Sequence, residues 1–285
     1  LVATMLCALV VFLFVTETVV QAAGPTVITA DIATPTTWTK ENSPYIVSNS
    51  IAVNAMLTLE PGTVVKFNNN ATNNTQAGLV IKSDFSAVGT TEEKIVFTSI
   101  CDSSYGGDTT SYSSRCQSGP LNSEWGGVSL YNTSAHAIIE HALIFRANRG
   151  ISYQTTLSNL PHRELSVKHT DIRQCNAAIY LRNTMPTLSF NTLEGNTYGL
   201  EVVTNFSNRV PVIRDSVFLH NGVAIKVNYP GATDVDARFN WWGDATGPYF
   251  QSSDPVLDNS DGLGDRIIQD WVKFRPWLGG EPDNS

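Results

Sequence analysis

Four segments of this chain repeat one short pattern at uneven intervals: an apolar residue, a short step to Asn, then a small residue followed by an aliphatic one. They are Ile144…Asn148…Gly150-Ile151, Ile172…Asn176…Ala178-Ile179, Leu193…Asn196…Gly199-Leu200 and Val217…Asn221…Ala224-Ile225. The small residue recurs after 28, 21 and 25 positions. That spread is too wide for a leucine-rich or WD repeat and natural for a coil whose turns differ in length. After each small residue the aliphatics alternate, as in Ile151/Tyr153, Ile179/Leu181, Leu200/Val202 and Ile225/Val227. Period two denotes a strand with one buried face. A second strand in each repeat is marked by Ile139, Val167, Leu188 and Val212. No helical stripe lies between, so these strands cannot form βαβ units. Stacked as coils they pair in parallel, and each rung buries its inward residues against its neighbours. The sequence therefore predicts an all-β, right-handed parallel β-helix.

Asn at the turn fits that geometry. A residue repeated on every rung stacks on itself at about 4.8 Å, where amides bond along the column. Upstream, Ile51–Phe67 reads as an opening rung turned by Pro61-Gly62. Gly78–Phe97 is the next, and Trp125-Gly-Gly-Val128 starts another. A solenoid needs covered ends. The turn-rich tail containing Trp241, Trp242 and Trp277 supplies a hydrophobic lid at one of them, with at least one of Trp241 and Trp242 buried on the rung of Ile225 and Val227.

The apolar run Leu1–Val15, followed by Val20-Gln-Ala22, has the layout of a secretory signal; a membrane anchor is the alternative reading. The expected organisation is a signal peptide or anchor over 1–22, an N-terminal cap and first rung over 23–67, rungs over 68–239 with an excursion at 101–116, a C-terminal cap over 240–280 and a tail or linker over 281–285. In an oxidising compartment Cys101 and Cys116 would close the Ser/Gly/Tyr-rich excursion, worth about 3 kcal/mol by loop-closure entropy. Cys175, beside an apolar stretch, is expected to be a buried, inert thiol. Sequons stand at Asn70, Asn73, Asn132 and Asn205.

Ser43-Pro-Tyr45, the Leu59–Phe67 rung, Trp125-Gly-Gly127 and the closing Asn240-Trp-Trp-Gly243…Gly247-Pro248…Pro276-Trp-Leu278 together resemble secreted right-handed β-helix repeat proteins of the pectate-lyase-like superfamily. The resemblance spans roughly 36–278 and implies this fold and export. The superfamily holds polysaccharide lyases and hydrolases and also surface modules, so function does not follow from it. The lyases' run of Asp calcium ligands with paired basic residues is not recognisable in this sequence.

A net charge of −8, with charged residues at only 15%, and no Lys/Arg cluster exclude a nucleic-acid footprint. Outward positions after the small residue form two rows: Ser129, Ser152, Tyr180, Glu201, Lys226, and Tyr131, Gln154, Arg182, Val203, Asn228. Tyr180 could stack on a sugar, with Gln154, Arg182, Glu201 and Lys226 bonding its hydroxyls; the plain alternative is a solvated strand face. His141 and His169 share an offset on adjacent rungs, within reach of a shared proton or metal, but the next rungs carry Phe190 and Arg214 there and offer no third ligand, so the plainer reading is stacking at a turn. Glu201, His141 and His169 are the catalytic candidates, and Asp171 or Asp215 is the partner carboxylate imaginable for Glu201. No metal site is expected. Asp258-Asn-Ser-Asp261-Gly262 lacks the ligand order of a calcium loop, although calcium is the cation such a turn would take. The function expected first is an exported, non-catalytic module presenting a rigid face to a glycan or cell-surface partner; the alternative is a polysaccharide lyase or glycoside hydrolase on the same scaffold.

Overall fold

The structure, a computed structural model, describes residues 24–68, 76–112, 116, 123–131, 135–156, 165–204, 211–228 and 234–282. The predicted signal segment and the four sequons lie outside these residues. Among the described residues, parallel strands stack into three sheets of eight, seven and nine strands, here called A, B and C, and wind into a right-handed β-helix. No α-helix occurs among the described residues.

Each coil visits sheet C, sheet A and then sheet B. The coil of Ile139 runs through Ala137–Glu140, Ala142–Phe145 and Arg149–Gln154. There are thus three strands per coil rather than two, because the apolar residue before each Asn turn lies on a short strand of its own. Winding also starts earlier than the opening rung read from the sequence. Thr26–Ile28 and Thr36–Trp38 already pair with Tyr45–Val47 and Leu57–Leu59.

Inward residues of successive coils stack in columns, such as Ile144, Ile172, Leu193 and Phe218. The last coil corrects the expected register. Phe218, not Val217, continues the inward column, and Ile213, not Val212, follows Leu188. Both members of each doublet are apolar, so alternation alone leaves the phase open; Val212 faces outward, while Val217 is covered by the tail.

The small residues mark the bend into sheet B. A Cβ on Gly127, at φ +117°, would sit 1.6 Å from the Arg149 carbonyl, and one on Gly150 would sit 2.6 Å from that of Ala178. The backbones approach too closely there for a larger side chain.

Asn side chains do bond along the coil, but not as one column. Asn176 donates to the Asn148 Oδ1 at 3.2 Å in one file. Asn196 and Asn221 belong to the neighbouring file, in which Cys175 occupies the preceding coil and Asp265 the following position. A second ladder, at the turn from sheet C to sheet A, joins Thr170, Asn191, Ser216 and Asn240. It escaped the sequence reading because Thr, Asn, Ser and Asn share the role only through their register. At the same turn His141, His169, Phe190, Asp215 and Phe239 adopt left-handed backbone, φ 46–62°.

The tail covers the last coil. Trp242 is fully buried and stacks on Phe218. Trp241 bridges Val217, Ile267 bridges Ile225, and Val272–Lys273 pairs with Val235–Asp236, so the tail prolongs all three sheets. Cys101 and Cys116 are joined, and Cys175 is free and buried. Burial pushes the Cys175 thiol up to about 12.

Candidate functional site

The strands Gly127–Tyr131, Arg149–Gln154, Ala177–Arg182, Tyr198–Val203 and Val223–Asn228 lie side by side in sheet B. Their register aligns Ser129, Ser152, Tyr180, Glu201 and Lys226 in one outward column, and Tyr131, Gln154, Arg182, Val203 and Asn228 in the next. Period-two alternation fixes the face, and the small residue at each bend fixes the phase.

Between these columns lies a shallow depression of about 510 Å³ lined by Arg149, Tyr180, Arg182, Glu201, Val203 and Asn228. Tyr180 is only 7% exposed. The Arg149 guanidinium stands 3.7 Å from the centre of its ring, so that face of the ring is already occupied by a cation. Arg149 had no part in the sequence reading. It precedes Gly150, outside the alternating run, and reaches Tyr180 only because the coils pair with Arg149 opposite Ala177.

Glu201 accepts a hydrogen bond from the Asn228 amide at 2.9 Å and pairs with the Lys226 Nζ at 3.2 Å. Burial opposes charging of Lys226, but the bond to Glu201 and its charge raise the ammonium above its ordinary value. Lys226 also lies 4.2 Å from the Tyr198 ring centre. Gln154 donates to the Ser152 hydroxyl at 2.6 Å. Arg182 differs from its neighbours: its Nε is buried without a hydrogen-bond partner, and its guanidinium has no ion pair among the described residues. The face therefore joins Arg149, Arg182 and Lys226 with a single carboxylate, within a chain whose net charge is −8. Its open donors suit a ligand rich in acceptor oxygens.

The other candidates lie elsewhere. His141 and His169 stack at the turn from sheet C to sheet A, ring centroids 4.8 Å apart, and His169 stacks in turn on Phe190 at 5.1 Å. The fourth member of this column is Asp215 rather than Arg214, by the same one-residue slip that moves Phe218 inward. Burial, then the neighbouring His169, lowers the His141 imidazole below its ordinary value. Asp171 lies on sheet A, where it pairs with Lys94 at 3.0 Å, and Asp215 lies at the turn, so neither shares a face with Glu201.

In the tail, Asp258 accepts from the Ser252 amide and the Ser260 hydroxyl, while buried Asn259 donates to the Thr246 and Pro248 carbonyls. These side chains brace the tail. No cluster of three or more metal-ligating side chains occurs among the described residues.

Comparison of the chain with protein families, with curated proteins and with solved structures finds no match.

Proposed function

We propose that this chain is an exported, non-catalytic β-helix module that presents the outward face of sheet B to a glycan or cell-surface partner. The observation that carries the reading is Arg182. It is a guanidinium held in a shallow depression beside Arg149 and Tyr180, without an ion pair among the described residues and with a buried Nε that none of them satisfies. A buried donor without a partner is costly unless a water or a ligand atom meets it. The neighbouring carboxylate, Glu201, is engaged by Lys226 and Asn228 and is the single carboxylate among the described residues that line the depression, which favours binding over glycosidic hydrolysis. Export, and kinship with the pectate-lyase-like superfamily, are part of the same proposal. They are supported by the N-terminal apolar run, the Cys101–Cys116 bridge and the coil motifs.

The test is a glycan array combined with reducing-sugar and unsaturated-product assays on the same ligands. Binding without product release, weakened about tenfold or more by Arg182→Ala through loss of a charge-assisted hydrogen bond, supports the module. Turnover abolished by Glu201→Ala would replace it with the lyase or hydrolase reading.

A further inference from the structure

A second depression, of about 560 Å³, lies on the outward face of sheet A. One wall is built by the disulfide-closed excursion, and the way that excursion is anchored is unusual. Lys66 and Thr98 are paired outward positions of sheet A, and the excursion lies over both. Lys66 is fully buried; its Nζ donates to the Asp102 carbonyl at 2.7 Å, the Gly107 carbonyl at 2.5 Å and the Thr109 hydroxyl at 3.1 Å. Thr98 donates to the Asp102 carboxylate at 2.8 Å, and the Asn68 amide donates to the Tyr112 carbonyl at 3.0 Å. Burying an ammonium is expensive, and an apolar side chain would cover the same surface at lower cost. What the lysine adds is direction, since three fixed acceptors allow the loop one position.

That position holds Tyr105 against Phe145, ring centroids 6.0 Å apart and planes tilted by 32°. Beside the two rings the floor is aliphatic, a single column of Val64, Val96 and Leu143. The rim carries Lys40, Lys94 and Arg173 against Glu92, Glu93 and Asp171, a balance of zero. Most of this charge is already paired, Lys40 with Glu93, Lys94 with Asp171, and Arg173 with Glu194, outside the lining, and with Asp171. The strand Ala142–Phe145 is paired on both sides, so the groove has no open strand edge to which an extended peptide could add.

We propose that this groove is a binding site for an uncharged oligosaccharide, separate from the face on sheet B. A sugar ring offers an apolar C–H face to Tyr105 and Phe145, while its hydroxyls exchange hydrogen bonds with the paired ions of the rim. The zero balance leaves no excess charge to draw an ionic ligand. The Cys101–Cys116 bridge and the Lys66 cage are the devices that keep Tyr105 in place.

Isothermal titration of the purified chain with cello-, xylo-, manno- and maltohexaose tests this, with hexagalacturonate and a proline-rich peptide as charged and peptide comparators. At least one neutral hexasaccharide should bind. Tyr105→Ala should weaken that binding about tenfold, and Tyr105→Phe should preserve it, because stacking needs the ring and not the hydroxyl. Phe145→Ala is the second variant, and circular dichroism melting verifies that each variant is folded. The proposal is overturned if no neutral hexasaccharide binds, if binding is indifferent to both alanine substitutions, or if hexagalacturonate or the peptide is the ligand that depends on Tyr105. Tyr105 stands on the excursion over sheet A and Arg182 on sheet B, so the two sites are lost by different substitutions.

Discussion

Phe218 and Trp242 stack with ring centroids 4.7 Å apart and an interplanar angle of 11°, one from the last full coil and the other from the tail. Trp242 is fully buried, and its indole nitrogen has no hydrogen-bond partner among the described residues. The ring thus contributes by packing alone. Trp242→Ala is expected to cost about 3–5 kcal/mol, as large core deletions do. Trp242→Phe should recover much of that loss, since it keeps the stack and removes a polar group that is unsatisfied. Thermal melting of the two variants checks this. Equal melting temperatures for Trp242→Ala and the parent chain would mean that the tail is not what seals the coil.

Asn191 is buried in the second ladder, where its Oδ1 accepts from the Thr170 amide at 3.2 Å and its Nδ2 donates to the Val167 carbonyl at 2.9 Å. Asn191→Leu leaves both backbone groups without this partner at about 1–3 kcal/mol each, for an expected loss of about 2–6 kcal/mol. Asn148 is half-buried and accepts one bond, from the Asn176 amide, so Asn148→Ala should cost about 1 kcal/mol or less. Urea unfolding of both variants gives the comparison; a larger loss at Asn148 would reverse the ranking of the two ladders.

Two aspartates act with opposite sign on the stability–pH curve. Hydrogen bonds from Arg238, opposed by burial and reinforced by Arg214, hold the Asp236 carboxyl well below its ordinary value. Its stabilisation is therefore complete above about pH 4, the unfolded value, and is lost as the pH falls further. Burial holds Asp265 above its ordinary value, against the bonds it accepts from Asn221. Its contribution is complete below about pH 4 and declines as the pH rises through the folded value. Asp236→Asn should lower stability at pH 7 by about 2 kcal/mol. Asp265→Asn keeps an acceptor toward Asn221 and removes a half-buried charge, so stability at pH 7 should rise, by about 1 kcal/mol. Melting from pH 3 to pH 8 reads both signs, and a fall in stability for Asp265→Asn at pH 7 would contradict the burial argument.

The Cys175 thiol, buried and pushed up to about 12, carries almost no thiolate at pH 8.5. Iodoacetamide should label it only at the rate at which the coil opens, and fully in denaturant. Rapid labelling of the native chain would show that the coil around Cys175 opens readily.

The β-helix itself was legible in the residues. Recurring Asn, a small residue and alternating aliphatics are local signals, and a strand that must bury one face on a parallel neighbour has few other solutions. The outward column Ser152, Tyr180, Glu201 and Lys226 could be written down for the same reason, because each member sits at a constant distance from a small residue that the bend requires. The Cys101–Cys116 bridge followed from two cysteines bracketing a Ser/Gly/Tyr-rich loop, on the expectation of an oxidising compartment. What only the tertiary structure decided depends on register between coils and on contacts that leave the strand. Val217 and Phe218 are equally apolar, and stacking on Leu193 and Trp242 chooses Phe218 for the interior. Arg149 meets Tyr180 across a 31-residue separation, and Lys66 meets Asp102, Gly107 and Thr109 across 36 to 43 residues. The periodicity of a strand states which side of the sheet a residue occupies. It does not state which residue of the next coil, or of an excursion, will lie upon it, since that is settled by the lengths of the intervening turns and by packing between coils.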